Sequence, residues 1–360
     1  MLLRPVSLEE SLLGQALAWD LYTANGTLLA TAGTRIDTPE QMRRLSEQPL
    51  FRKPDGVSTG GNPAQRLQAV AAALADLFSA PPDAWPAAAV LTQARELSAL
   101  YFQDAEAALG LVRLIPLPGM ALRHCLHSAL VALVMGEAMG WPEQRLVSLA
   151  GAALTMNLSE MALHEHLAMG ARTLTDAQRQ AIRRHPARSM ERLVAAGVED
   201  REWLAAVLAH HENLDGSGYP SGLAGEAIPL PARILRVADY YCAKVGGRHY
   251  RPPRSPEQAL RSLFGSERQR LDMHLAAHLL RRLGLYPPGT LLRLANRETA
   301  VVTRTPGRRK VLRQVVSFLD YWGRPHERPQ LRDTNQHAIV GLAEADASWP
   351  TIVWERMWGY

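Results

Sequence analysis

Residues 64–283 carry one pattern with few interruptions: alanine and leucine recur three and four positions apart, most densely over 66–80 and 87–114. That spacing buries one face of an α-helix, and both residues are strong helix formers. The run is too long for one helix and is punctured by Ile115-Pro116-Leu117-Pro118-Gly119, so it must fold back on itself as a bundle. Thr175 and Gln178 stand at the spacing of a capping box and predict a helix over 177–195. Helical periodicity ends after Gly284, where 286–296 and 298–304 read as strands with turns at Asn296-Arg297 and Pro306-Gly307. Ahead of the block, 15–22 and 27–31 read as short strands around a turn at Asn25-Gly26, and the Gly/Pro/Ser-rich segment 53–63 reads as a linker. The chain is therefore expected to be mainly α: a small N-terminal α/β or β-rich cap over 1–52, a linker over 53–64, a helical domain over 65–284 and a small C-terminal β-rich subdomain over 285–360.

Of the 360 residues, 47% are hydrophobic and 21% charged, which supports a substantial core and excludes a disordered polymer. Cys125 and Cys242 form neither a disulfide framework nor a Cys-x-x-Cys unit, which fits a reducing compartment. The most apolar stretch, 121–141, contains Arg123, His124, His127 and Glu137, and the N-terminus reaches Glu9 and Glu10 before a signal-peptide core could form. No membrane span or export signal is expected, and the expected location is the cytoplasm. Most of the net charge of +5 lies in the tail, where residues 285–360 hold 11 basic against 7 acidic side chains. So small an excess fits a solvated basic surface, and no nucleic-acid partner is expected.

Twelve histidines are present. Solitary ones such as His124 and His164 are read as packing or surface residues, because imidazole is tolerated at half-buried helix positions. The pair His210-His211 differs, since neighbours on a helix point about 100° apart and can share one metal ion only near a helix end. The pair opens the run His210-His211-Glu212-Asn213-Leu214-Asp215-Gly216-Ser217-Gly218-Tyr219-Pro220-Ser221-Gly222-Leu223. Within it Gly216 and Gly218 are free to take φ > 0, and Pro220 stiffens the exit. Further on, Asp239 is a lone carboxylate in an apolar stretch, and such a group needs a partner.

The run from His210 to Arg251 resembles the HD-GYP family, a branch of the HD phosphohydrolases, in its His-His-Glu, Asp-Gly-Ser-Gly-Tyr-Pro and Ser-Gly-Leu elements, in the stretch ending at Asp239, and in Arg248-His249-Tyr250-Arg251. Upstream, His127-Ser128 resembles the family's first His-Ser helix and His185-Pro186 its His-Pro helix start, so that the likeness covers about residues 110–300. The resemblance implies an HD-type helical bundle that hydrolyses cyclic di-GMP with two or three clustered metal ions, often iron or manganese. Matched residue by residue, it implies His127, His185, His210, His211 and Asp239 as metal ligands and Arg248 and Arg251 against substrate phosphates. It also implies that Asp215, Gly216, Gly218, Tyr219 and Pro220 form an exposed loop for a partner, in relatives a diguanylate cyclase of the GGDEF type.

The family's His-Asp pair falls within 152–161, and there the chain departs from it: Met156 stands for the histidine, Asn157 for the bridging aspartate and Glu160 for a lysine. A thioether is a poor ligand for hard divalent ions, a neutral amide cannot hold two cations together, and an anion at 160 repels an anionic substrate. Cys242 stands where an acidic residue is usual, and Arg123 where some members carry a glutamate ligand. The expectation is a catalytically degenerate centre, with one iron or manganese ion rather than a bridged pair, or none. Such a protein binds cyclic di-GMP, or a GGDEF-type or other signalling protein, without turnover. The competing expectation is an active metal-dependent cyclic di-GMP phosphodiesterase with an altered centre.

Overall fold

Chain order in the computed structural model runs from a small mixed unit, Met1–Gly61 with Ala99–Ala105, to a larger one, Asn62–Ser98 with Glu106–Tyr360. The structure describes residues 4–6, 13–14, 21–23, 28–30, 34–46, 50–52, 61–80, 86–168, 174–246, 254–305 and 314–360. The expected turns at 25–26 and 306–307, most of the expected linker, and both Arg248 and Arg251 lie outside the described residues.

In the first unit, strands β1 (Arg4–Val6), β2 (Leu21–Thr23) and β3 (Leu28–Ala30), helix α1 (Pro39–Ser46) and strand β4 (Leu50–Arg52) follow one another. The strands form an antiparallel sheet of order β1-β4-β2-β3. Leu21, Ile36, Met42 and Leu50 make its core. The cap is thus α/β.

Next in the chain are α2 (Pro63–Ser79), α3 (Ala87–Gln103), whose last residues count with the first unit, α4 (Ala105–Leu114) and α5 (Met120–Ala138). Then come α6 (Glu143–Thr155), a 3₁₀ turn (Leu158–Glu160), α7 (Met161–Ala168), α8 (Asp176–Ala195) and α9 (Arg201–Ala209). Helices α10 (Leu230–Val245), α11 (Pro256–Phe264) and α12 (Met273–Leu283) complete the bundle. The break at 115–119 ends α4, and α5 restarts after Gly119, whose φ of 68° a side chain rarely adopts. Helix α5 is buried from Leu126 through Gly136 without a polar face, as suits a helix surrounded by protein. Helices α6, α7, α10 and α12 pack around it. The stretch Glu143–Leu167 is apolar enough by composition to cross a membrane, but 72% of its apolar window is buried inside the fold and the 3₁₀ turn interrupts it, so it is core.

The expected tail strands appear as β5 (Leu291–Leu294) and β6 (Thr299–Arg304), with Arg297 at φ 68° in the turn between them. With β7 (Gln314–Leu319), β8 (Pro325–Arg332) and β9 (Ile339–Leu342) they form an antiparallel sheet of order β8-β7-β6-β5-β9. Trp358 fastens this sheet to the bundle: its indole N–H donates to the Thr303 carbonyl at 2.9 Å, and its ring occupies the space a Cβ at Gly110 would take.

Beside the sheet core, Arg332 donates two hydrogen bonds to Glu298, at 2.6 and 2.7 Å. Those bonds hold the Glu298 carboxyl down at about 2, below its usual 4.5. A depressed carboxyl stabilises the fold fully above its unfolded value, and the contribution disappears as pH falls through the folded value. Urea unfolding of the wild type is therefore expected to weaken between about pH 4.5 and about 2, and Glu298→Gln is expected to flatten that part of the profile while lowering stability at neutral pH.

Candidate metal centre

The capping box at Thr175 and Gln178 is present and opens α8. Inside that helix Pro186 follows His185. Proline has no N–H, so the carbonyl four residues back, that of Ile182, loses its helical donor. Nδ1 of His185 takes that carbonyl at 2.7 Å. His210 meets the same situation at a helix end: it is the C-cap of α9, where the last carbonyls lack partners, and its Nδ1 takes the Val207 carbonyl at 2.7 Å. A carbonyl only accepts, so both Nδ1 atoms carry the proton and both Nε2 atoms present lone pairs. The two Nε2 atoms face each other at 3.0 Å.

Helix α9 is seated to make this possible. Asp200 caps it by accepting from the Trp203 N–H, and the Trp203 indole donates to Thr155 at 2.9 Å, while Gly151 leaves room for the ring. His211, next along, closes the group: one nitrogen from each of His185, His210 and His211 lies within 4.8 Å of the others. The ring centroids of His210 and His211 are 4.2 Å apart, and those of His185 and His211 are 4.9 Å apart.

Burial pushes His185 down to about 4 and His210 down to about 3, and it holds His211 well below the usual imidazole range. At neutral pH two unprotonated nitrogens therefore point at each other, an arrangement that repels unless a cation stands between them. The donor set fits one: a divalent ion binds imidazole at about 2.0–2.1 Å, and three nitrogens with an open fourth position is a common arrangement for it. His185, His210 and His211 would hold the ion, which would supply a Lewis acid for phosphate oxygens and a lowered pKa for bound water.

Three of the five expected ligands make up this group, and Asp239 and His127 are not among its members. Asp239, on α10, has found the partner it needed in His124, whose Nε2 lies 2.8 Å from Oδ1. Burial works to raise the Asp239 pKa, but the hydrogen bond and charge of His124, together with His211 and His210, outweigh it and hold the group well below the carboxylate range. His127 lies three residues further along α5, about 60° around the helix, and its ring packs edge-on to Tyr241 at 6.2 Å. His124, read from sequence as a packing residue, thus pairs with Asp239, and His127 packs on Tyr241. Nothing in the spacing separated them.

The glycine-rich loop is fastened from within. Glu212 Oε1 accepts from the Ser221 and Gly222 N–H groups at 2.7 and 3.1 Å, and Arg236 of α10 donates to Asn213 at 3.1 Å. Gly216 has φ 76°, as expected, but Gly218 does not take a positive φ. A Cβ at Gly218 would instead overlap the backbone of Glu212 and Asn213. Tyr219 is half-buried and stacks on His211 at 4.8 Å, while Asp215, Ser217, Pro220, Ser221 and Gly222 are exposed.

Met156 ends α6 fully buried, and Asn157 follows it with neither amide atom hydrogen-bonded. The Cys125 thiol is the side chain that acts on this amide. Glu160 is buried as well, and burial pushes its carboxyl up to about 7 against the lowering effect of Arg188.

Residues 112–275 match the family profile described as HD domain. The chain is 27% identical over 267 residues to the cyclic di-GMP phosphodiesterase PA4108 of Pseudomonas aeruginosa, covering 73% of this chain and 64% of that protein. It is 34% identical over 154 residues to the cyclic di-GMP phosphodiesterase response regulator RpfG of Xanthomonas campestris, covering 42% of this chain and 40% of that one. This chain thus spans less than two thirds of either relative. Among solved structures, Bd1817, an HDG"Y"P protein from Bdellovibrio bacteriovorus, shares the fold with a TM-score of 0.52 at 14% identity, over 76% of this chain and 98% of its own.

The proline dependence of His185 is testable. Pro186→Ala returns an N–H that competes for the Ile182 carbonyl, so metal affinity is expected to fall roughly tenfold, as for loss of a partner that orients a ligand, without loss of thermal stability. Calorimetric titration with manganese, run beside a melting curve, checks both.

Proposed function

Because the chain belongs to the HD-GYP family of HD-domain proteins, we propose that its helical domain binds cyclic di-GMP through a single divalent ion, iron or manganese, and no longer turns the nucleotide over. The observation that carries this reading is the 3.0 Å approach of the two Nε2 atoms in a three-imidazole group that contains no carboxylate. Three neutral ligands suffice for one ion. A bridged pair needs an anion between its members, and Asn157 supplies none. The family names of the relatives support the nucleotide; the substituted pair supports the loss of hydrolysis.

In this reading His185, His210 and His211 hold the ion, and Tyr219 keeps His211 in place by stacking on it. The exposed edge of the loop, with Asp215 and Pro220, is the surface for a signalling partner, a GGDEF-type protein being the one the resemblance favours. Arg248 and Arg251 are proposed to meet the phosphates.

Protein purified anaerobically with iron or manganese is expected to retain about one ion per chain, lost in His210→Ala, and a content below about 0.1 ion would mean that the imidazoles merely pack. Cyclic di-GMP is expected to bind the loaded protein in calorimetry and to yield no linear product by chromatography. Robust turnover abolished by His210→Ala would replace this reading with that of an active phosphodiesterase. Restoring the pair, Met156→His with Asn157→Asp, is expected to increase bound metal measured by elemental analysis, since it returns an imidazole and an anion to a position already buried.

A further inference from the structure

Glu160 is 4% exposed, and neither of its carboxylate oxygens has a hydrogen-bond partner. A carboxylate withdrawn from water without a partner is among the costlier arrangements a fold can hold. Two imidazoles lie near it: Oε2 is 3.6 Å from Nδ1 of His185 and 3.7 Å from Nε2 of His164. Both separations exceed hydrogen-bond length. The proton on Nδ1 of His185 is already given to Ile182. Arg188, the cation that acts on Glu160 electrostatically, is exposed to solvent on α8. These neighbours do not account for a buried carboxylate at this position.

A metal ion does. Asp239 acts electrostatically on all three imidazoles but is shared with His124, so the charge of a divalent ion there would be only partly offset, and in a low-dielectric interior an anion a few ångströms away is worth most. Position 157, where the family carries its aspartate, holds an uncharged amide. Glu160 stands three residues further on, behind a metal ligand, on the Nδ1 side of His185 and away from the donor nitrogen. It also replaces a lysine of the family pattern, so the chain has lost one anion and gained another within a single turn.

We propose that Glu160 is a second counter-charge of the metal centre beside Asp239, a positioning residue that acts through His185. When the ring is metallated, the carboxylate shares the Nδ1–H with the Ile182 carbonyl, strengthens Nε2 as a donor, and offsets part of the ion's charge. This rests on the reading that the three imidazoles hold an ion.

The test is manganese affinity by competition with a chelating indicator, for wild type, Glu160→Gln and Glu160→Asp, with thermal melting of the metal-free proteins in parallel. Glu160→Gln is expected to lower the affinity by about 10- to 100-fold, the usual effect of removing a carboxylate behind a metal-bound histidine. The metal-free protein should melt no lower than wild type, because the amide removes an unpaired buried charge. Glu160→Asp should recover part of the affinity. A Gln variant that binds manganese as tightly as wild type overturns the proposal. So does a loss of affinity matched by an equal loss of metal-free stability, which is the mark of a structural role. Wild type that binds no manganese at all overturns the three-imidazole reading itself, and this proposal with it.

Discussion

The hydrogen bond from His185 to the Ile182 carbonyl exists because residue 186 is proline. In an uninterrupted helix that carbonyl would be occupied by the N–H four residues on, and the ring would have to find its orientation elsewhere. His210 uses the other place where a helix leaves carbonyls unpaired, its C-terminal end. Two different interruptions of helical hydrogen bonding thus produce the same result: a protonated Nδ1, a fixed ring plane, and an Nε2 lone pair aimed inward. With both rings fixed from behind, their donor atoms meet at 3.0 Å, and the remaining features of the centre, His211 and the tyrosine stacked on it, build outward from that contact.

Charge is the second constraint. Neutral imidazoles are ready ligands that release no protons on binding, but they bring no negative charge to a buried site. Asp239 gives one oxygen to His124 and acts on the cluster electrostatically. Asn157 is neutral. Glu160 lies 3.6 Å from Nδ1 of His185, on the side of that ring away from Nε2, while Asp239 acts electrostatically on all three imidazoles.

The scaffold explains why such a strained set of polar groups is tolerated. Helix α5 is buried around its whole circumference and anchors α6 and α10, while Trp203 locks α9 to the end of α6 through Thr155. The ligands therefore sit on elements whose positions are set by apolar burial, which does not depend on the site being complete. A change among the groups lining the centre can therefore alter its chemistry and leave the fold intact.

Much of this architecture is legible in the chain itself. The capping box at Thr175, the break before Gly119, the helix end beneath His210, and the strands after Gly284 are all local signals, dictated by backbone hydrogen bonding and side-chain periodicity over a few residues, and they hold in three dimensions. The substitutions at 156, 157 and 160 are likewise visible without coordinates. What the chain alone leaves open is the rotation of each helix against its neighbours. Whether His124 or His127 meets Asp239, whether Tyr219 faces solvent or His211, and whether Glu160 lies beside a phosphate or behind a ligand are all set by packing between segments distant in sequence. A turn of about 60° exchanges one histidine for the other, and only the burial of the surrounding apolar faces selects between those rotations.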